Sequence, residues 1–228
     1  MLRYRVLDHE CIPFQPQALA HRPVTAPSIA LALVGLDKDV LDLVRTSPAL
    51  ELVGVFDPAD PGGELPYLGD DEAWAAVRAE RPGLKILLTV DGPAQRRRLA
   101  DHYGADALLS VVSPAAHVAA GAKVGPGSLI QRGVTVMTDA SIGKGCKLNV
   151  NATVHHDARV GDFCTLAPGA LLLGRVTVED EAYIGAAAVV LQNLRIGRGA
   201  TIGAGAVVTA DVPPGVTVAG VPARLLPS

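Results

Sequence analysis

The chain has 228 residues, a formal net charge of −3 and a hydrophobic fraction of 49%, with aromatic residues at only 4%. That balance argues against a general nucleic-acid binder, which would be basic, and no apolar run approaches the ~20 residues of a membrane span. Asp8, His9 and Glu10 interrupt any apolar start, so the N-terminus does not read as a signal peptide and the expected location is the cytoplasm.

Residues 1–27 read as an N-terminal extension. Arg3–Asp8 has the texture of a short strand, and Pro13, Pro16, Pro23 and Pro27 argue against a long helix. From Ser28 the pattern changes. Strands are expected over Ser28–Gly35, Leu50–Asp57, Leu84–Val90 and Ala107–Val112. Helices are expected over Asp37–Thr46, Asp70–Glu80 and Pro93–Tyr103, with a turn-rich stretch over Pro58–Gly69. Strands alternating with helices predict a small Rossmann-like parallel sheet over residues 28–114. Trp74 is expected in its core. Arg96, Arg97 and Arg98 form the one dense basic run, expected to fan around a solvated helix face.

From Val118 every sixth position is aliphatic, through Val124, Ile130 and Val136 and on to Val208. Four residues after each comes a small or apolar side chain, from Ala122 to Val212. A period of six fits neither an α-helix nor one long strand; it fits a solenoid of short strands and tight turns. Two inward positions per hexapeptide fill a narrow core that no single repeat can bury alone. Glycine often follows the aliphatic residue, as at Gly125, Gly143, Gly161, Gly185, Gly197 and Gly203, where turns are expected to need unusual backbone angles. The solenoid is expected over residues 115–213, with a tail over 214–228.

Of three cysteines, Cys146 and Cys164 lie 18 residues apart at inward positions and should stack as small core residues in a reducing compartment. By repeat phase, His156 and Asp157 fall just after the inward Val154, at a corner of the prism rather than in its core. An imidazole titrates near neutral pH, and a carboxylate neighbour raises its basicity, which suits a general base. His155, by contrast, is expected to point outward. His117, His155 and His156 match no zinc-ligand spacing, so no metal is expected.

The hexapeptide pattern resembles the left-handed parallel β-helix of the hexapeptide acyltransferases, whose coils each take three hexapeptides. The GVPA segment after Ala219 resembles the tail that closes many of them. The order α/β domain, then β-helix, with Val154–Phe163 (VHHDARVGDF) and Ala167–Ala170 (APGA), is similar to the sugar-nucleotide N-acetyltransferase and sialic-acid O-acetyltransferase family. The resemblance implies an acetyl-CoA-dependent acetyltransferase acting on an amino or hydroxyl group of a sugar, with or without a nucleotide attached. It implies His156 as general base, supported by Asp157, with Gly174 leaving room for the acetyl group one coil away. It places acetyl-CoA contacts on Thr165, Ala186 and Ala204, and acceptor contacts on Gly35, Asp57 and Gly92. It also implies a homotrimer, since one prism lacks the second wall of the coenzyme groove. Thr165 stands where relatives often carry a second histidine. The turn after the first strand reads VGLDKDV, with Gly35 kept but the other glycines of the family's phosphate-binding turn replaced. That loss supports a competing expectation, a trimeric scaffold or binding protein with a degenerate nucleotide site.

Overall fold

The structure, a computed structural model, describes residues 28–47 and 49–227. The expectations for residues 1–27 lie outside the described residues. Four strands, β1 (Ile29–Val34), β2 (Leu50–Phe56), β3 (Tyr67–Gly69) and β4 (Lys85–Leu88), form a parallel sheet in the order β3-β2-β1-β4. Three helices accompany them: α1 (Lys38–Arg45), α2 (Trp74–Glu80) and α3 (Pro93–Tyr103). Leu31–Val34 at the centre of the sheet is buried on both faces, as a continuous apolar run in a parallel strand should be. On one face Val40 and Val44 of α1 pack with Leu31, Leu33 and Val55. On the other, Trp74 of α2 and Leu99 and Tyr103 of α3 pack with Val34 and Phe56.

Two expectations need correction here. Ala107–Val112 is not a fourth strand of this sheet. Leu108 makes a single bridge to Ile86, and Val111–Val112 pairs instead with Leu129–Ile130 of the solenoid. The sheet's remaining edge is β3, a three-residue strand in the stretch read as turns; it is too short to show a period.

The hexapeptides wind into a prism of three stacked parallel sheets, the left-handed β-helix. Each hexapeptide contributes a two-residue strand, and partners in adjacent coils are 18 residues apart, as Lys147 with Thr165 and Leu148 with Leu166. The second residue of each strand points inward, from Ile130 to Val208, and packs with the small residues Ala140, Cys146, Ala152 and Ala158 of the corners. The first face carries Leu129–Ile130, Lys147–Leu148, Thr165–Leu166 and Tyr183–Ile184. The second carries Thr135–Val136, Thr153–Val154, Leu171–Leu172 and Val189–Val190, and the third Ser141–Ile142, Arg159–Val160 and Thr177–Val178. Thr217–Ala219 folds back on Arg224–Leu225 as an antiparallel pair, and Val212 and Val218 close that end of the core.

The corners overturn the expected role of the glycines. From Gly127 to Gly205 each corner holds one residue in the left-handed backbone region, but at Asp139, Asn151, Asp157, Phe163, Arg175, Glu181, Ala187 and Asn193 that residue is not glycine. Gly125, Gly143 and Gly161, which follow the aliphatic positions, have ordinary backbone angles. They are there for close approach: a Cβ on Gly143 would sit 2.6 Å from the carbonyl carbon of Gly161 in the next coil. Cys146 and Cys164 do stack, as free buried thiols donating to the carbonyls of Gly161 and Glu179 at 3.0 and 3.1 Å. Contact with Cys146, and then burial, push the Cys164 thiol well up from its ordinary range.

The first face of the prism docks on the α/β layer. Its outward residues Val111 and Leu129 join the apolar cluster beneath α1. Below them two buried cations cross the joint in opposite directions. Arg96 of α3, 1% exposed, donates to the carbonyls of Gly145 (2.7 Å), Phe163 and Cys164 (both 2.9 Å) on the prism, and to those of Val90 and Asp91. Burial pushes its pKa down from the ordinary value. Lys147 of the prism, 2% exposed, reaches back to Asp37 and Asp91 (both 2.8 Å) and the carbonyl of Thr89 (2.6 Å). The expectation of a solvated arginine face therefore holds only for exposed Arg98. Arg97 packs on the Phe163 ring and pairs with Glu181 at 2.9 Å.

Candidate active site

The corner that joins the second and third faces carries Val154, His156 and Asp157. Val154 is locked in the core, and the second and third residues after it, His156 and Asp157, are turned outward. Asp157 then takes the left-handed conformation, φ 59°, that turns the chain into the next face. The corner is tied to its neighbours by the Asp157 N–H on the Thr138 carbonyl (3.2 Å) and the Arg175 N–H on the His156 carbonyl (3.0 Å).

This anchored turn sets the side chains. His156 Nδ1 lies 2.8 Å from Asp157 Oδ2, with the two side chains 42% and 52% exposed. With Nδ1–H donating to the carboxylate, Nε2 is left as the acceptor. Gly174 sits one coil on. A Cβ there would stand 2.8 Å from His156 Nε2 and 2.7 Å from Cε1, so a side chain would fill the space the imidazole faces. His155 packs edge-on to His156, ring centroids 4.6 Å apart, and its Nδ1 is buried with no hydrogen-bond partner. Rather than simply pointing outward, it leans on its neighbour. Among the described residues no three His, Cys, Asp or Glu side chains converge as a metal site would need.

The other residues singled out in the sequence are spread around the molecule. Ala186 and Ala204 stack on the corner between the first and second faces, tied by the Gly205 N–H on the Ala186 carbonyl (2.8 Å). Gly35 and Asp57 share a hollow of about 420 Å³ at the carboxyl ends of the strands of the α/β sheet, where parallel sheets bind ligands. Gly92 is the N-cap of α3, beside that hollow but not lining it. Thr165 is the outlier. It is 0% exposed at the joint, its hydroxyl donating to the Asp91 carbonyl (2.7 Å) and accepting from Arg96 (3.0 Å). Its one donor is spent and the side chain is sealed under the α/β layer, so the expected coenzyme contact at Thr165 is corrected on that ground.

Sequence reasoning missed Lys147, Asp91 and Arg96 as a group. Their signal was in the outward positions, which every 18 residues fall on one face. On the first face Val111, Leu129 and Tyr183 are apolar, marking it as covered.

Comparison with known proteins bears on the fold and the family. A model of the bacterial transferase hexapeptide (six repeats) matches residues 175–210. The structure of PerB from Caulobacter crescentus, in complex with CoA and GDP-perosamine, superposes with a TM-score of 0.79 at 30% identity, over 87% of this chain and 97% of that one. The acetyltransferase domain of PglB from Neisseria gonorrhoeae, in complex with acetyl coenzyme A, gives 0.80 at 30% identity over 87% and 100%. WeeI from Acinetobacter baumannii gives 0.78 at 32% identity over 86% and 99%. The chain belongs to the hexapeptide-repeat family of sugar acetyltransferases. Within that family, the Caulobacter perosamine N-acetyltransferase was also solved with one histidine replaced by asparagine and by alanine. A search of curated proteins by sequence gave no match. Among the described residues no helix is long and apolar enough to cross a membrane.

Proposed function

We propose that this chain transfers an acetyl group from acetyl-CoA to an amino or hydroxyl group of a sugar, with His156 as general base. The observation that carries the reading is the His156–Asp157 pair facing the bare Cα of Gly174 one coil away. Acetyl-CoA, when bound, supplies an acyl carbon on a thiolate leaving group. Asp157 holds the Nδ1 proton and fixes the tautomer. Nε2 takes the proton from the acceptor N–H or O–H as the new N–C or O–C bond forms, then returns it to sulfur as the S–C bond breaks. Gly174 keeps the place of the acyl group clear, and backbone N–H groups of the coil edges are the available oxyanion donors.

The working form is a homotrimer. Within one prism, His156 and Gly174 occupy one edge of the second face and Ala186 and Ala204 the other. A threefold arrangement would place one edge of each kind across a shared groove. The outward residues of the second face support such a contact, since Thr135, Thr153, Leu171, Val189 and Val207 carry no charge and only His117, at its end, is titratable. The third face presents Lys123, Arg159 and Arg195. His156 also lies at the corner not bordered by the docked first face, so the acceptor must come from a neighbouring protomer's α/β layer.

The test is thiol release from acetyl-CoA in the presence of a panel of amino sugars, free and nucleotide-linked, run beside sedimentation equilibrium. A trimer that neither binds acetyl-CoA nor releases thiol would favour the scaffold reading, which the altered turn after β1 otherwise supports.

A further inference from the structure

The hollow at the carboxyl ends of β1, β2 and β4 is bordered by Gly35, Asp37, Asp57, Thr89, Asp91 and Lys147. Such a position, at the start of a helix that follows a strand, ordinarily holds a phosphate on unpaired backbone N–H groups. Here four of those donors already point to acceptors of the chain itself. The N–H groups of Asp39 and Val40 point to Asp37 Oδ1, at 3.0 and 3.2 Å. The Leu36 N–H points to Asp57 Oδ2 at 3.2 Å, and the Gly35 N–H to the Phe56 carbonyl at 2.8 Å. The second oxygen of Asp37 pairs with Lys147, whose three ammonium hydrogens are matched by Asp37, Asp91 and the Thr89 carbonyl. The chain's own carboxylate thus makes both contacts a ligand's phosphate would make: the helix N-terminus and the nearest buried cation. With three carboxylates and one ammonium lining it, the hollow presents negative charge to anything that enters.

We propose that Asp37 is a specificity-determining residue. Its carboxylate takes the anion position at the start of α1, so this chain does not hold a nucleoside diphosphate there. The acceptor is an amino or hydroxyl sugar without a nucleoside diphosphate, bound through its hydroxyls to Asp57 and Asp91. The first statement stands on the geometry alone; the second rests on the acetyl-transfer reading.

The experiment is calorimetric titration of UDP, GDP and dTDP into the full chain and into two variants, Asp37→Asn and Asp37→Gly. Asp37→Asn keeps an N-cap and leaves Lys147 paired with Asp91, so the fold is retained; thermal melts check both variants. The wild-type protein is expected to show no binding at about 1 mM nucleotide, and removal of the charge to raise affinity at least about tenfold for one of the three. Wild-type binding near 10 µM, or no gain in either folded variant, overturns the role of Asp37. In a second arm, free amino sugars and their 1-phosphates compete with nucleotide-linked ones as acceptors. A higher kcat/KM for the nucleotide-linked sugar overturns the acceptor class. Acetyl-CoA titration, run separately, isolates the parent reading: its failure removes acetyl transfer and leaves the nucleotide result standing.

Discussion

The joint between the α/β layer and the prism, and the free corner that carries His156, use charged groups in opposite ways. At the joint, Arg96 and Lys147 are sunk almost completely and every donor is matched by a fixed acceptor. At the corner, His156 and Asp157 are half exposed, satisfy one another through a single bond, and leave Nε2 open. A charge that is fully matched can hold two layers together, but it has nothing left to offer a ligand. A charge matched on one side only adds little to stability, and it is the kind that can move a proton.

The contrast can be broken at four points. Replacing His156 by alanine should have the largest effect, lowering kcat for acetyl transfer about 10²–10⁴-fold with the melting curve unmoved. Arg96→Leu should do the reverse. It strands the carbonyls of Gly145, Phe163 and Cys164 at a buried seam. A stability loss of about 3–5 kcal/mol is expected by chemical denaturation, while protein that remains folded keeps its turnover. Gly174→Ala tests the space beside the base. The new methyl group pushes the His156 ring aside, and kcat should fall about 10²-fold with little loss of stability, because an exposed imidazole can swing away. Thr165→Val is the mildest and the sharpest. Losing the hydroxyl between Arg96 and Asp91 should cost about 1 kcal/mol in a melt and leave the KM for acetyl-CoA unchanged. A large rise in that KM would return Thr165 to the coenzyme site.

The prism was legible because its physics repeats. Every inward position from Val118 to Val208 obeys one rule, so single residues hardly matter to the reading. The corner site was legible for a related reason: counting from Val154 places His156 without knowledge of any other part of the chain. The joint obeys no period. Arg96 looks like its neighbours Arg97 and Arg98, and only the docking of α3 against the corner at Gly145 and Phe163 sets it apart. Lys147 is an ordinary outward lysine until the first face is known to be covered. Val111–Val112 was misplaced for the same cause, an apolar pair suited to either of two sheets. Asp37 stood in the sequence only as one letter of the altered turn VGLDKDV. That it caps α1 and meets a lysine 110 residues away in sequence could come only from coordinates.

The close stacking of Gly125, Gly143 and Gly161 leaves no slack between coils. Loss of a single residue anywhere along the prism would turn every later inward side chain out and set a bulky neighbour against a bare backbone. Changes in length are therefore tolerated only as whole turns of eighteen residues, or as loops flung sideways from a bend. This lineage must grow and shrink by the storey, like a tower, and never by the brick.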